Sequence, residues 1–494
     1  MSQPSLSITI NKATPQSISH PIQVKPDYTL SRRTHNRMQG RKRKHAMFIL
    51  LLALITFLAP NVNAIRDFTV SAQDSEPVNS PGANVLWEKT YGGAGDDRAF
   101  YAITVADGFV VVGSSTSFKQ DKTVAWVLKL DHNGNELWNQ TFFEGDGCEF
   151  RYVLGLDDGF LLVGNVFLPL GDIDGYVVRV DFEGKAVWNI TLGGKSVDKL
   201  FSAVETQDGF VFAGLTYSFG DDSQVWVVKT DVNGNVTWNK TYGGALEDAG
   251  RAVALTEDNH YVVAGYTNSM GNGDYDFLLL KIDASGNLSW NKTYGGTQSD
   301  KAYAITETAD GCVAVGDTRS KGEGDSDAWI IKVDLDGNLV WDETAGGEAF
   351  DTATCVTASN YEGHLMGGFT FSFGSGERDF WLFKVSDQGS VQSSCTVGRS
   401  AFEEAYAVLE TAESEFVMAG WTSSIGQGRY DFYVTKITVE NSSDGLSAYQ
   451  FITSALILTA VVLAVLIVLF LLIRHRVNQK ISRQNADATW KSDA

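Results

Sequence analysis

Two series of carboxylates recur along this chain at a spacing that could gather cations. The first is Asp97, Glu149, Asp198, Asp248, Asp300, Asp351 and Glu403. The second is Asp174, Asp276, Asp327, Asp379 and Asp431. Members of the second series sit in glycine-rich stretches such as Gly171-Asp172-Ile173-Asp174, Gly273-Asp274-Tyr275-Asp276 and Gly324-Asp325-Ser326-Asp327. Hard cations such as calcium take several oxygen ligands, which carboxylates and loop carbonyls supply. The competing role is structural, because an acid at a turn also accepts backbone N–H bonds and fixes its loop.

Other chemistry is sparse. The chain has no nucleophile elbow, zinc-ligand spacing or phosphate-cradling loop that stands apart from its repeats. His132, His260 and His364 are isolated from one another in sequence. A carboxylate pair of glycosidase type is chemically conceivable, but nothing singles out two acids among so many. Cys148, Cys312, Cys355 and Cys395 allow two disulfides in three pairings, or four free thiols.

The elements that must position the acids repeat with them. Tryptophans anchor the period at Trp87, Trp138, Trp188, Trp238, Trp290 and Trp341, and Ser393 holds the same column in a degenerate seventh copy. The steps are 51, 50, 50, 52, 51 and 52 residues. Such a period means one supersecondary unit stacked many times. In the copy from Trp290, strand a is Trp290-Asn291-Lys292-Thr293-Tyr294. A Gly-Gly loop with Asp300 leads to strand b, Ala302 to Glu307. Asp310-Gly311 signals a hairpin into strand c, Cys312 to Gly316. A glycine-rich loop reaches strand d, Ala328 to Val333.

Four short strands per copy make a propeller blade. Strand c carries a glycine in all seven copies: Gly113, Gly164, Gly214, Gly265, Gly316, Gly368 and Gly420. The expectation is all-β, a seven-bladed β-propeller over 85–440, with the strand around Trp87 completing the last blade so that no sheet edge stays free. The a–b and c–d loops, and with them both acid series, would emerge on one face. Each tryptophan would act by packing. A basic column on strand d, from Lys129 and Arg179 to Lys384 and Lys436, would pair with neighbouring acids.

The turn Asp231-Val232-Asn233-Gly234-Asn235-Val236-Thr237-Trp238 resembles the Asp-x-x-Thr-Gly-x-x-x-Trp hairpin of quinoprotein-type (PQQ-like) propellers, one residue shorter. Similar turns begin at Asp131, Asp181, Asp283 and Asp334. The resemblance covers about residues 85–440 and implies the propeller fold. It includes both cofactor-binding dehydrogenases and cofactor-free scaffolds. The dehydrogenases use an adjacent cysteine pair and commonly have eight blades. Here the cysteines are all separated and seven copies are visible.

The termini read as addresses. Residues 1–64 end in a basic cluster, Arg41 to Lys44, then the apolar run Ala46 to Ala59 and a small residue at Ala64, the pattern of a signal peptide with a long n-region. A linker, 65–84, precedes the repeats. After them, 441–447 read as a stalk and 448–473 as a transmembrane helix, since ~20 apolar residues span a bilayer core. The basic tail 474–494 marks the cytoplasmic side. Residues 65–473 hold 25 basic and 57 acidic residues, a net of -32, which disfavours nucleic acid. Glycosylation sequons fall at Asn139, Asn189, Asn235, Asn239, Asn287, Asn291 and Asn441.

The expectation is a type I, single-pass membrane protein whose extracellular propeller is a recognition scaffold for a protein or glycan ligand, without catalysis. No cofactor is implied beyond the calcium that the acids would suit. The alternatives are an extracellular enzyme, quinoprotein-like or acting on polysaccharide, and a structural cell-envelope protein. One deep asymmetric pocket would favour the enzyme, and an even ring the scaffold.

Overall fold

A computed structural model describes residues 83–439, Asp221 excepted, and 473–479. The signal peptide, most of the linker, Asn441, the stalk, and all of the expected span except Ile473 lie outside the described residues. So does most of the tail. Residues 473–479 are helical. Among the described residues no helix is long and apolar enough to cross a membrane.

The chain forms seven antiparallel four-stranded sheets, a seven-bladed propeller. Blade 1 runs from an inner strand, Asp97–Val105, through a second, Gly108–Ser115, and a third, Val124–Leu130, to an outer strand, Glu136–Phe142. The outer strand is the tryptophan strand that opens the next repeat. The last blade lacks one of its own. Ala83–Tyr91 fills the place, pairing along Asp431–Val439 from Ala83↔Val439 to Tyr91↔Phe432. Closure is reinforced by Glu88, which accepts the Tyr433 hydroxyl at 2.6 Å and pairs with Arg399 at 2.5 Å. The first strand starts at Ala83, two residues before the expected boundary.

Hydrophobic burial sits between blades rather than within them. One cluster joins Leu161, Val163 and Val177 of blade 2 to Phe210, Phe212 and Trp226 of blade 3. Each seam therefore depends on both neighbours.

The tryptophan column also belongs to the seams. A Cβ on Gly184 would lie 2.8 Å from Trp138, and one on Gly286 3.2 Å from Trp238. Each indole thus covers the glycine of the next blade's outer hairpin. In Trp138, Trp238, Trp290 and Trp341 the Nε1 also donates into the same hairpin, for example to Phe182 O at 3.1 Å and Ala284 O at 3.2 Å. The exception at Ser393 then has a cause. Blade 7 takes its outer strand from the N-terminus and has no such hairpin to cover. Most of the basic column pairs with the inner hairpins, as Lys129 with Asp107, Lys229 with Asp208 and Lys332 with Asp310, at 2.8–2.9 Å, while Lys384 forms no such pair among the described residues.

Every inner strand carries a β-bulge, for example between Ala99 and Tyr101, Leu200 and Ser202, and Ala302 and Ala304. Opposite the bulge lies the strand c glycine. A Cβ at Gly113, Gly214 or Gly316 would meet the carbonyl oxygen of Arg98, Lys199 or Lys301 at 1.8–1.9 Å. The glycine column is the space the bulge requires. Gly214→Ala should therefore lower stability by about 1–3 kcal/mol, the usual cost of forcing atoms into a packed site. Gly155→Ala, whose Cβ would have only Ile103 at 3.5 Å, should be near neutral. Urea unfolding of both variants checks this; equal losses would refute the assignment.

Candidate functional site

The acid series lie at the loop-face ends of their strands, and they are buried there. Asp97, Asp198, Asp248, Asp300 and Asp351 are fully buried; Asp276, Asp327, Asp379, Asp431 and Glu403 nearly so. Asp198 shows the pattern. It accepts Gly194 N at 2.6 Å from the Gly-Gly loop and Ser218 Oγ at 2.7 Å from the end of the second strand. Asp97, Asp248, Asp300 and Asp351 accept the same donor types. Glu403 accepts Arg399 N and the Thr422 hydroxyl.

Glu149 does not belong to this column. By register Cys148, opposite Val166, stands where Asp198 stands opposite Thr216, and Glu149 is one residue later. In blade 2 the whole network has become apolar. Cys148 replaces the acid, Val166 the threonine and Leu168 the serine, and Val124 of blade 1 faces them where other blades offer an acid or Gln224. Replacing both partners of a hydrogen bond by apolar groups is nearly neutral, whereas removing one is costly.

Third-strand acids meet inner-strand acids across five seams: Asp174 with Asp198, Asp276 with Asp300, Asp327 with Asp351, Asp379 with Glu403, and Asp431 with Asp97. A Cβ on Gly295 would touch Asp276 at 2.2 Å and Asp300 at 2.6 Å. Burial, then the facing carboxylate among other neighbours, pushes Asp174, Asp327 and Asp379 up to about 6. Asp276 and Asp431 are raised too, for the same reasons. Among the described residues no three His, Cys, Asp or Glu side chains are grouped to hold a metal ion.

The sequons at Asn139, Asn189, Asn235, Asn239, Asn287 and Asn291 are exposed. In the outer hairpins, however, Asn235 and Asn287 use Nδ2 to bond Asp231 and Asp283 at 2.9 Å. Asn239 accepts the Trp226 indole at 2.7 Å. The four cysteines are unpaired and buried.

The asymmetric feature lies on the axis. Each bulge turns one inner-strand side chain toward the centre, and this column does not repeat. It reads Phe100, Arg151, Phe201, Arg251, Tyr303, Thr354 and Tyr406. All seven line a cavity of ≈ 310 Å³, joined by Tyr101, Tyr152, Phe350, Phe369 and Cys355. This is at the small end of ligand sites. Bulges are common where a side chain must be re-aimed beside a functional site.

The cavity combines flat apolar walls with cations. The Arg151 guanidinium lies 3.9 Å from the Phe100 ring centroid, and that of Arg251 4.1 Å from Phe201. Tyr101 and Tyr152 pack with centroids 4.3 Å apart. Arg151 is compensated: Nε and Nη2 donate to Glu149 at 2.8 and 3.1 Å. Burial raises the carboxyl of Asp317, which accepts the Ser326 hydroxyl. Burial pushes the Cys355 thiol up to about 12, so it is no nucleophile at neutral pH.

No family model matches the chain, and no curated protein matches it in sequence. Solved structures match in shape. Periplasmic gluconolactonase PpgL of Pseudomonas aeruginosa is 11% identical, with TM-score 0.43 over 67% of this chain and 96% of that one. Sqt1 of Chaetomium thermophilum is 11% identical, with TM-score 0.41 over 68% and 83%. A putative 6-phosphogluconolactonase of Bacteroides uniformis is 12% identical, with TM-score 0.39 over 59% and 82%. Values this low do not bear on activity.

The seam pairs have a pH consequence. A carboxyl raised in the fold contributes stability below its unfolded value, near 4, and loses it as pH rises through about 6. Buried His364, lowered by its burial, acts in the opposite direction. It is common to wild type and Asp379→Asn, so comparing the two isolates the pair. The melting temperature of Asp379→Asn should gain on wild type as pH rises from 4.5 to 7.5. A difference independent of pH would contradict the shared burial of the two carboxyls.

Proposed function

We propose that this chain is a surface-displayed, membrane-anchored recognition propeller that takes its ligand in the axial cavity. The observation that carries the reading is the column of bulge residues. The tryptophan, glycine and first acid columns repeat to serve the blades, while this one varies between aromatic, arginine and threonine around one cavity. A residue that must hold a seam cannot vary so freely, whereas one that faces a ligand can.

The size of the cavity restricts the ligand to a small molecule, or to the terminal unit of a glycan or peptide. The apolar run at 448–473 and the signal-like N-terminus support display outside the membrane. Calcium is not required by this reading, because the ligand is placed in the axial cavity and not among the acid series. One asymmetric cavity is what the enzyme alternative calls for; against it, no carboxylate or histidine among the described residues lines the cavity and the Cys355 thiol stays protonated.

Saturation-transfer NMR on the full chain, with phenol, benzamide and benzoate as probes, tests the location. Ala304 lines the cavity, and Ala304→Phe should lower probe binding at least tenfold. Asp379→Asn, in a seam, should leave it unchanged. Probe binding that ignores Ala304→Phe, or no binding at all, would overturn the axial site.

A further inference from the structure

Arg251 differs from Arg151, the other arginine that a bulge turns toward the axis. It turns inward at its bulge, over Phe201 at 4.1 Å and near Tyr303 at 5.7 Å. Its Nε is buried and has no hydrogen-bond partner. Among the described residues no carboxylate forms an ion pair with it. The contrast with Arg151 is internal to the same cavity. There Glu149 takes up the guanidinium edge, and Asn165 holds Glu149 in place at 3.2 Å.

Arg251 is part-buried as a whole, and leaving its buried Nε without a partner is costly. Burial pulls its pKa down, yet arginine cannot shed its proton in any ordinary range. A lysine here could neutralise itself. Arginine instead offers a rigid fork of donors suited to a two-oxygen anion. The group facing it is an aromatic wall built from Phe201, Tyr303 and Tyr406, which suits a flat, apolar body.

We propose that the axial cavity binds a planar organic anion, a carboxylate or phosphate on an aromatic or otherwise unsaturated body, with the anionic head on Arg251 and the body between the aromatic side chains. This rests on the axial cavity being the ligand site. Arg151, two blades away, is already held by Glu149, so the cavity has one vacant anion position rather than two. The remaining titratable side chains lining it are tyrosines and Cys355. No lining carboxylate competes with the ligand for Arg251.

The test is calorimetric titration of the full chain with benzoate, phenyl phosphate and the neutral isostere benzamide. At least one anion should bind ten times or more tightly than benzamide. Arg251→Gln should erase that preference while benzamide binding stays within about twofold. Arg251→Lys, which keeps the charge but loses the fork, should retain part of it. Circular dichroism of both variants checks that the propeller is intact. Equal binding of anions and benzamide, with no effect of either Arg251 variant, would overturn the anion assignment while leaving the cavity as the site. Anion binding that survives both Arg251→Gln and Ala304→Phe would place it elsewhere and overturn both. Failure of every probe to bind would also count against both.

Discussion

The structure turns on one close approach, between the inner strand's bulged backbone and the second strand's glycine. In all seven blades a Cβ on that glycine would meet an inner-strand carbonyl oxygen at 1.8–2.0 Å. Only glycine admits the bulge, and only the bulge breaks the alternation of the inner strand so that an extra side chain points to the axis. The axial column is thereby released from packing the seams. Ala99, Leu200 and Ala302, one residue earlier, remain fully buried and carry that duty. Seven identical constraints thus produce seven positions at which the residue is free.

The carboxylates follow the opposite logic. Asp97 and its counterparts hold the Gly-Gly loop to the end of the second strand, and their hydroxyl partners come as a Thr/Ser-x-Ser pair, as at Ser115 with Ser117 and Thr370 with Ser372. Blade 2 serves as an internal control. When Cys148 takes the acid's place, Val166 and Leu168 take the places of the hydroxyls. A cation site would lose its ligand and leave the hydroxyls behind. A hydrogen-bond network is replaced as a unit, because a lone buried donor or acceptor costs more than none.

Much of this was legible in the residues. The tryptophan period, the strand c glycines and the incomplete ends specified seven blades and closure by the first strand. The pairing of Lys129, Lys229 and Lys332 with hairpin acids was also legible, because both partners recur. The site was not. A bulge shifts the in–out alternation by one residue, and no residue type marks where it falls except a glycine on another strand. Arg151 and Arg251 therefore carry no signal in the repeat pattern. Glu149 falls in with the acids for another reason: Cys148 holds the acid's place in blade 2 and Glu149 stands next to it, as the partner of Arg151. Searching for what repeats finds the scaffold. The proposed site is in the column that does not.

The chain's charge then takes on a different meaning. A net of -32 over 65–473 would suggest affinity for cations, yet the axial cavity is lined by two arginines and no carboxylate. The two facts are compatible because they act over different distances. Surface charges are screened beyond ~8 Å at physiological ionic strength. Several of the acids are also paired with the strand d lysines or buried in the seams. Inside the cavity screening is weak and the guanidinium of Arg251 stands alone, so its field dominates there. Selection of an anion would thus rest on contact geometry and not on long-range attraction. Raising the salt concentration would weaken the repulsion that a ligand meets on approach while leaving the short-range pairing largely intact.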